Sequence, residues 1–201
     1  MVKDALHSRF SRWSKGKLPI VIPKSDFIRE EFSDLLFDLG LNKCVEIGVH
    51  YGKNAYNLCI NNPKIEYIGV DPWSTDDPVS AAFGQEKQEW FMKKALKRIE
   101  PFNATVLRMT SMEAVKQFDD KSLDFVYIDG VHDYKHASED LKHWSTKVKH
   151  GGIIAGHDYS MEKGPGVIQA VNEFTQAHGI NEWFITKGRN PSFFWANSVE
   201  D

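Results

Sequence analysis

Runs of strand character alternate with runs of helical character along most of the chain, and no other feature limits the fold as strongly. Strand-like stretches at residues 43–49, 66–71, 104–109, 123–129 and 152–157 are separated by helical patterns at about 53–60, 85–99, 112–118, 134–147 and 167–178. A strand, a helix and a further strand demand a crossover, and such crossovers are right-handed and build parallel sheets covered on both faces. A helix at 27–39 precedes these units: Phe27, Ile28, Phe32, Leu35, Leu36 and Leu39 follow the helical period, and Gly40 stands at the C-cap. The final stretch departs from the alternation. Residues 182–186 and 192–196 read as aromatic-rich strands joined only by Lys187-Gly188-Arg189-Asn190-Pro191, a link that permits antiparallel pairing alone. The expected fold is therefore α/β, a doubly wound, mostly parallel seven-stranded sheet (Rossmann-like) ending in an antiparallel hairpin.

With 201 residues and 41% apolar content, the chain has material for one domain with a real core. Its beginning differs from the rest. Lys3, His7, Arg9, Arg12, Lys15, Lys17 and Lys24 face the single acid Asp4, while Leu6, Phe10 and Trp13 recur at helical spacing. Residues 1–25 thus read as a basic arm or helix ahead of a domain at 26–201. A helix packed on the core is the plainest role for it; a substrate lid, an oligomer contact or a phosphate-binding arm are the alternatives. A net charge of -3 gives no general attraction to nucleic acid or an anionic membrane. No apolar run approaches the ~20 residues that span a bilayer, so the expected location is the cytoplasm. Cys44 and Cys59 lie in apolar stretches and read as core thiols.

At the end of the first strand of the alternation stands Glu46-x-Gly48-x-x-x-Gly52, followed by a helix. Glycines there accept unusual φ and let backbone approach a ligand at a strand's carboxyl end. The spacing is not the Gly-x-Gly-x-x-Gly of a dinucleotide fold, and the leading acid argues against a phosphate. Glu46 instead suits a cationic or hydrogen-bond-donating ligand group, met directly or through water. Asp71 closes the second strand, where an acid accepts both hydroxyls of a ribose.

In these residues the chain resembles the class I S-adenosylmethionine-dependent methyltransferases, over about residues 43–196. The resemblance implies S-adenosylmethionine as cofactor, with Glu46, Gly48, Val49 and Gly52 at its methionine end and Asp71 at its ribose. Ser111 and Met112, after the third strand, fall where the family contacts adenine; Ser111 also reads as the N-cap of the next helix. His50 and Tyr51 replace the small residues usual in the loop, and Trp73 either stacks on adenine or packs beneath the 74–80 loop.

A second constellation lies further on. The strand Leu123-Asp124-Phe125-Val126-Tyr127-Ile128-Asp129-Gly130 is followed by His132, Asp133 and Tyr134, and the next strand ends Gly156-His157-Asp158-Tyr159. Neighbouring strands would bring Asp129, His157 and Asp158 to one edge, about 5 to 10 Å apart, at the switch point where α/β sheets bind ligands. Carboxylates gathered there call for a cation or shared protons. The segment resembles methyltransferase domain 24 and, more distantly, the catechol-type metal-dependent O-methyltransferases. In that comparison Asp129 and Asp158 match ligands of a divalent metal (magnesium, manganese or another), with His157 beside the second as the third, an imidazole that departs from the family; the rival is that Asp129 and His157 orient a substrate hydroxyl without any ion, and Asp129, His132 and His157 form the expected catalytic set. His132 is the expected general base, a neutral imidazole that takes the acceptor's proton. Asp133 reads as a helix N-cap; Asp140, Trp144 and Lys147 read as packing and solvation features, and His136, His143 and His150 as surface residues. The expected reaction is O-methylation of a small molecule or sugar. The alternatives are a cephalosporin-hydroxylase-like metal-dependent enzyme and a non-catalytic S-adenosylmethionine-binding module. Nucleic acid and membrane are not expected partners, and a homo-oligomer stays open.

Overall fold

The computed structural model describes residues 1–198; the last three residues of the expected 26–201 domain lie outside it. Helix α1 (Val2–Phe10) leads to strand β1 (Ile20–Ile22), and α2 (Phe32–Leu39) to β2 (Lys43–Ile47). The alternation then runs α3 (Lys53–Ile60), β3 (Glu66–Val70), α4 (Pro78–Ala81), α5 (Gln85–Ile99), β4 (Ala104–Leu107), α6 (Ser111–Ala114), β5 (Leu123–Ile128), α7 (Tyr134–Trp144), β6 (Val148–Gly156) and α8 (Gly166–Ala177). Strands β7 (Phe184–Thr186) and β8 (Phe193–Ala196) close the chain.

Among the described residues the strands form one sheet in the order β1-β7-β8-β6-β5-β2-β3-β4. Strands β6, β5, β2, β3 and β4 are parallel, and β8 runs antiparallel to both β6 and β7. The doubly wound sheet and its terminal hairpin are as expected, but the strand count is eight rather than seven. The added strand is β1, which pairs parallel to β7 from within the basic arm. Its three residues lie between Pro19 and Pro23, too short a run to show alternation. The helix expected at 27–39 begins only at Phe32, because a 3₁₀ turn at Arg29–Glu31 comes first, held by the Ile28 N–H donating to Glu31 Oε2 at 2.7 Å.

Alternate residues of the central strands feed cores on opposite faces. Phe125 and Tyr127 of β5 join the α1, α2, α3 and α5 layer, whereas Val126 and Ile128 join α6, α7 and α8. Both faces being dry, β5 reads as a continuous apolar run. Phe10 of α1 packs with Phe27, Phe184 and Phe194 at centroid separations of 5.3, 5.5 and 5.7 Å, so the arm is part of the core. Arg12 of the arm pairs with Asp26 at 2.5 Å, and His7 Nδ1 lies 2.5 Å from Glu182 Oε1. Cys44 and Cys59 are buried free thiols. No helix among the described residues is long and apolar enough to cross a membrane.

Candidate active site

Strands β2 and β5 are adjacent and parallel, and the chain departs to opposite faces after them, which opens a crevice at their carboxyl ends. Gly48 sits there with φ +87°, and a Cβ on it would lie 2.0 Å from the Asp129 carbonyl oxygen. Only glycine lets the two strand ends approach so closely. Gly52, the N-cap of α3 at φ +77°, is similarly crowded by Ala95. No side chain caps α3, so the N–H groups of its first turn are turned toward the loop without a capping partner.

Asp71 fastens this loop. Its Oδ2 accepts from the His50 N–H at 2.8 Å, its Oδ1 from the Trp73 N–H at 2.8 Å, and Trp73 Nε1 donates to the His50 carbonyl at 2.8 Å. Burial pushes the Asp71 carboxyl up despite these donors. Trp73 is fully buried, which settles its role as packing. His50, at φ +53°, turns its ring onto Phe91 with centroids 4.0 Å apart, and burial lowers its pKa. The Val49 side chain points inward against Gly69, so only its backbone faces the loop's open side.

Glu46 takes a less direct place than expected. It is 1% exposed, and its carboxylate accepts from Asn54 Nδ2 at 2.9 Å and from the Tyr67 hydroxyl, with Arg29 NH2 4.0 Å away. Desolvation pushes its pKa up to about 7, against the pull of Arg29 and both donors. Its carboxylate is thus surrounded by Asn54, Tyr67 and Arg29. Ser111 is not the cap of α6: Thr110 is, accepting from the Glu113 N–H at 3.3 Å while Glu113 accepts from the Thr110 N–H at 3.0 Å. Both residues fit the cap chemistry, and the one nearer the strand takes it. Ser111 instead accepts from Trp144 Nε1 at 2.7 Å and donates to Asp140. Asp140 is thus not a solvated feature but a buried carboxyl, pushed by desolvation up to about 6. Met112 packs partly buried against the same layer, and Lys147 pairs with Asp120 at 2.6 Å.

The second constellation assembles beside Gly48. The Asp129 N–H donates to the Ile47 carbonyl at 2.8 Å, tying the end of β5 to the end of β2, and the His157 N–H donates to Ile128 at 3.0 Å. Asp158, at φ +56°, is held by Asn190 Nδ2 on its Oδ1. His132 Nε2 lies 2.9 Å from Asp158 Oδ2 and 3.6 Å from Asp129 Oδ1. That buried nitrogen nevertheless makes no hydrogen bond of acceptable direction. One atom from each of Asp129, His132 and Asp158 falls within 4.8 Å of the others. The imidazole that closes this trio is His132; the sequence expectation gave that place to His157. His157 lies alongside, its Nδ1 3.5 Å from Asp129 Oδ1 and 3.4 Å from Asp158 Oδ1.

Charge in the cluster is strongly partitioned. Asp129 loses solvent, which raises its pKa, but Arg29 and both imidazoles outweigh that and hold it well below the usual carboxylate range. Asp158 behaves likewise through His132 and His157. Desolvation lowers the His132 pKa, yet the neighbouring Asp129 and Asp158 carboxylates lift it to about 9, and His157 is raised by the same carboxylates. In the cation-free site this raised value runs against the neutral base expected at His132. Asp133 caps α7 through the His136 N–H at 2.9 Å, and His136, His143 and His150 are exposed.

Arg29 escaped the sequence reading. Its NH2 donates to Asp129 Oδ2 at 2.5 Å, its Nε to Asn54 Oδ1 at 3.0 Å, and its guanidinium lies 5.0 Å from the Tyr127 ring centroid. Those partners are distant in the chain, and no local spacing announces them.

Comparison with known proteins agrees with this geometry. The chain is 28% identical over 167 residues to the uncharacterized protein y4gI of Sinorhizobium fredii; that alignment takes in 76% of this chain and spans only 18% of the relative's length. Among solved structures it is similar to the O-methyltransferase from Bacillus cereus in complex with SAH (TM-score 0.61, 13% identity, 98% of this chain and 90% of that one). It is similar to the O-methyltransferase TomG from Streptomyces achromogenes in complex with SAM (TM-score 0.59, 13% identity, 96% and 89%). It is also similar to spermidine synthase from Thermotoga maritima (TM-score 0.59, 13% identity, 85% and 61%). At such identities these structures speak for the fold. A family model described as a methyltransferase domain matches residues 45–159. That span covers more than half of the chain and runs from the Glu46 loop through Asp158, so the chain belongs to the methyltransferase domain family and carries its class I fold.

Proposed function

We propose that the domain moves the methyl group of S-adenosylmethionine to a hydroxyl oxygen of a small molecule or sugar, at a divalent-cation centre formed by Asp129, His132 and Asp158. The observation that carries this reading is the direct abutment of the two constellations: Gly48 lies against the Asp129 carbonyl, so a donor held by its loop would present its methyl toward the carboxylate–imidazole cluster.

The residues fit both groups. For the donor, the uncapped first turn of α3 suits a carboxylate, and Asp71 keeps acceptor capacity for ribose hydroxyls at the loop's other side. For the cation, His132 Nε2 lies 2.9 Å from Asp158 Oδ2 and 3.6 Å from Asp129 Oδ1, and one atom from each of the three residues falls within 4.8 Å of the others, a set that could hold a metal ion. One imidazole and two carboxylates suit manganese, iron or zinc as well as magnesium. When bound, the cation lowers the acceptor hydroxyl's pKa and neutralises the carboxylates. His132 then serves as a neutral ligand. The proton from the hydroxyl would pass to His157, which lies beside the same two carboxylates. The acceptor oxygen attacks in line, the C–S bond breaks as the C–O bond forms, and S-adenosylhomocysteine leaves.

The imidazole in the trio also favours a second reading, a metal-dependent oxygenating enzyme of the cephalosporin-hydroxylase-like kind. One assay separates the two: S-adenosylhomocysteine formation and oxygen uptake measured over a panel of hydroxylic compounds with manganese, magnesium or chelator. We expect metal-dependent S-adenosylhomocysteine formation, reduced at least roughly 100-fold in Asp129→Asn. Oxygen uptake without S-adenosylhomocysteine would favour the second reading, and Asp129→Asn turnover equal to wild type would remove the cation centre from the reaction.

A further inference from the structure

Arg29 lies outside the matched 45–159 span, yet it touches both constellations. Its guanidinium splits the Asp129 carboxylate: Oδ2 is taken by Arg29 NH2 at 2.5 Å, while Oδ1 faces His132 Nε2 at 3.6 Å and His157 Nδ1 at 3.5 Å. In the other direction Arg29 Nε holds Asn54 Oδ1 at 3.0 Å, which leaves Asn54 Nδ2 to donate to Glu46 Oε1 at 2.9 Å. Asn54 lies in the first turn of α3, whose N–H groups face the donor loop. Arg29 itself is placed by the 3₁₀ turn at Arg29–Glu31 and by the Tyr127 ring beneath it.

We propose that Arg29 is a positioning residue that reserves Oδ1 of Asp129 for the cation and couples the cation centre to the donor loop through Asn54 and Glu46. This rests on the donor and cation reading above. The physical basis is competition for one buried carboxylate. A cation drawing on Oδ1 would shift the Asp129 carboxylate against Arg29, and that shift reaches the first turn of α3 through the Arg29 Nε–Asn54 Oδ1 and Asn54 Nδ2–Glu46 Oε1 hydrogen bonds. The planar fork of arginine is essential, because an ammonium cannot hold Asp129 and Asn54 in two fixed directions at once.

Coupling of this kind is reciprocal. Calorimetric titration of S-adenosylhomocysteine, with and without saturating manganese, measures it without any turnover. In the wild type we expect manganese to tighten S-adenosylhomocysteine by at least about 5-fold, and the nucleoside to tighten manganese equally. In Arg29→Lys both ligands still bind, but the factor falls below about 2-fold. Asn54→Ala leaves the Arg29–Asp129 contact in place, so it should keep wild-type manganese affinity while losing the same coupling; it also serves if Arg29→Lys does not fold. Coupling unchanged in either folded variant, or absent from a wild type that binds both ligands, overturns the role of Arg29 and leaves the proposed reaction standing. A wild type that binds no S-adenosylhomocysteine overturns the donor reading itself.

Discussion

Two aspartates, Asp129 half-buried and Asp140 buried, show how neighbours decide what loss of solvent does. Asp129 faces Arg29 and two imidazoles and stays ionised; Asp140, with the Ser111 hydroxyl and a weaker pull from His136, has a pKa pushed up to about 6. For Asp140 the folded value lies above the unfolded one of 3.8, so its contribution to stability is fully present below that pH and is lost as pH rises through about 6. Asp140→Asn removes this penalty while its amide oxygen still accepts from Ser111. We expect the variant to exceed the wild type by roughly 1–3 kcal/mol near neutral pH, with the gain vanishing toward pH 4. Urea titrations across that range check it; a variant less stable than wild type at neutral pH would mean that the carboxylate is stabilised by a partner it does not show. Residue identity was legible where chemistry is local: Glu46, Gly48, Asp71 and Asp129 all stand at the strand ends where they were expected. It was not legible for Arg29, whose contacts with Asn54 and Asp129 span 25 and 100 residues of chain.

At the scale of elements, the central strands were readable because both of their faces are dry, and α7 and α8 because each carries one apolar stripe. The edge was not. β1 has three residues, and its register with β7 is set by tertiary pairing and not by any pattern of its own. Helices α6 and α7 both end in 3₁₀ turns, which the sequence periodicity merged with them. The arm proves to be a structural element: Leu6 and Phe10 of α1 are each 1% exposed, and Phe10 touches rings from β7, β8 and the segment before α2. Replacing Phe10 by Ala should therefore cost roughly 3–5 kcal/mol in denaturant unfolding, the range for a large ring removed from a packed core. A loss below about 1 kcal/mol would show an arm that is dispensable to the fold.

For the whole molecule, the sheet sets up one crevice and lets two loops face each other across it. The same architecture appears in structures as different as an O-methyltransferase and a spermidine synthase, so the fold alone does not choose the reaction. On the function proposed above, what chooses it is the pairing of the Glu46 loop with the ionised cluster of Asp129, His132 and Asp158. Asp71 offers the most direct test, because it touches the loop and none of the cluster residues. Calorimetry of S-adenosylhomocysteine on the wild type should give one site per chain with an affinity in the micromolar range, weakened at least about 10-fold in Asp71→Asn, a loss of roughly 1.4 kcal/mol. No binding to the folded wild type at millimolar nucleoside, or binding unchanged in Asp71→Asn, would contradict it.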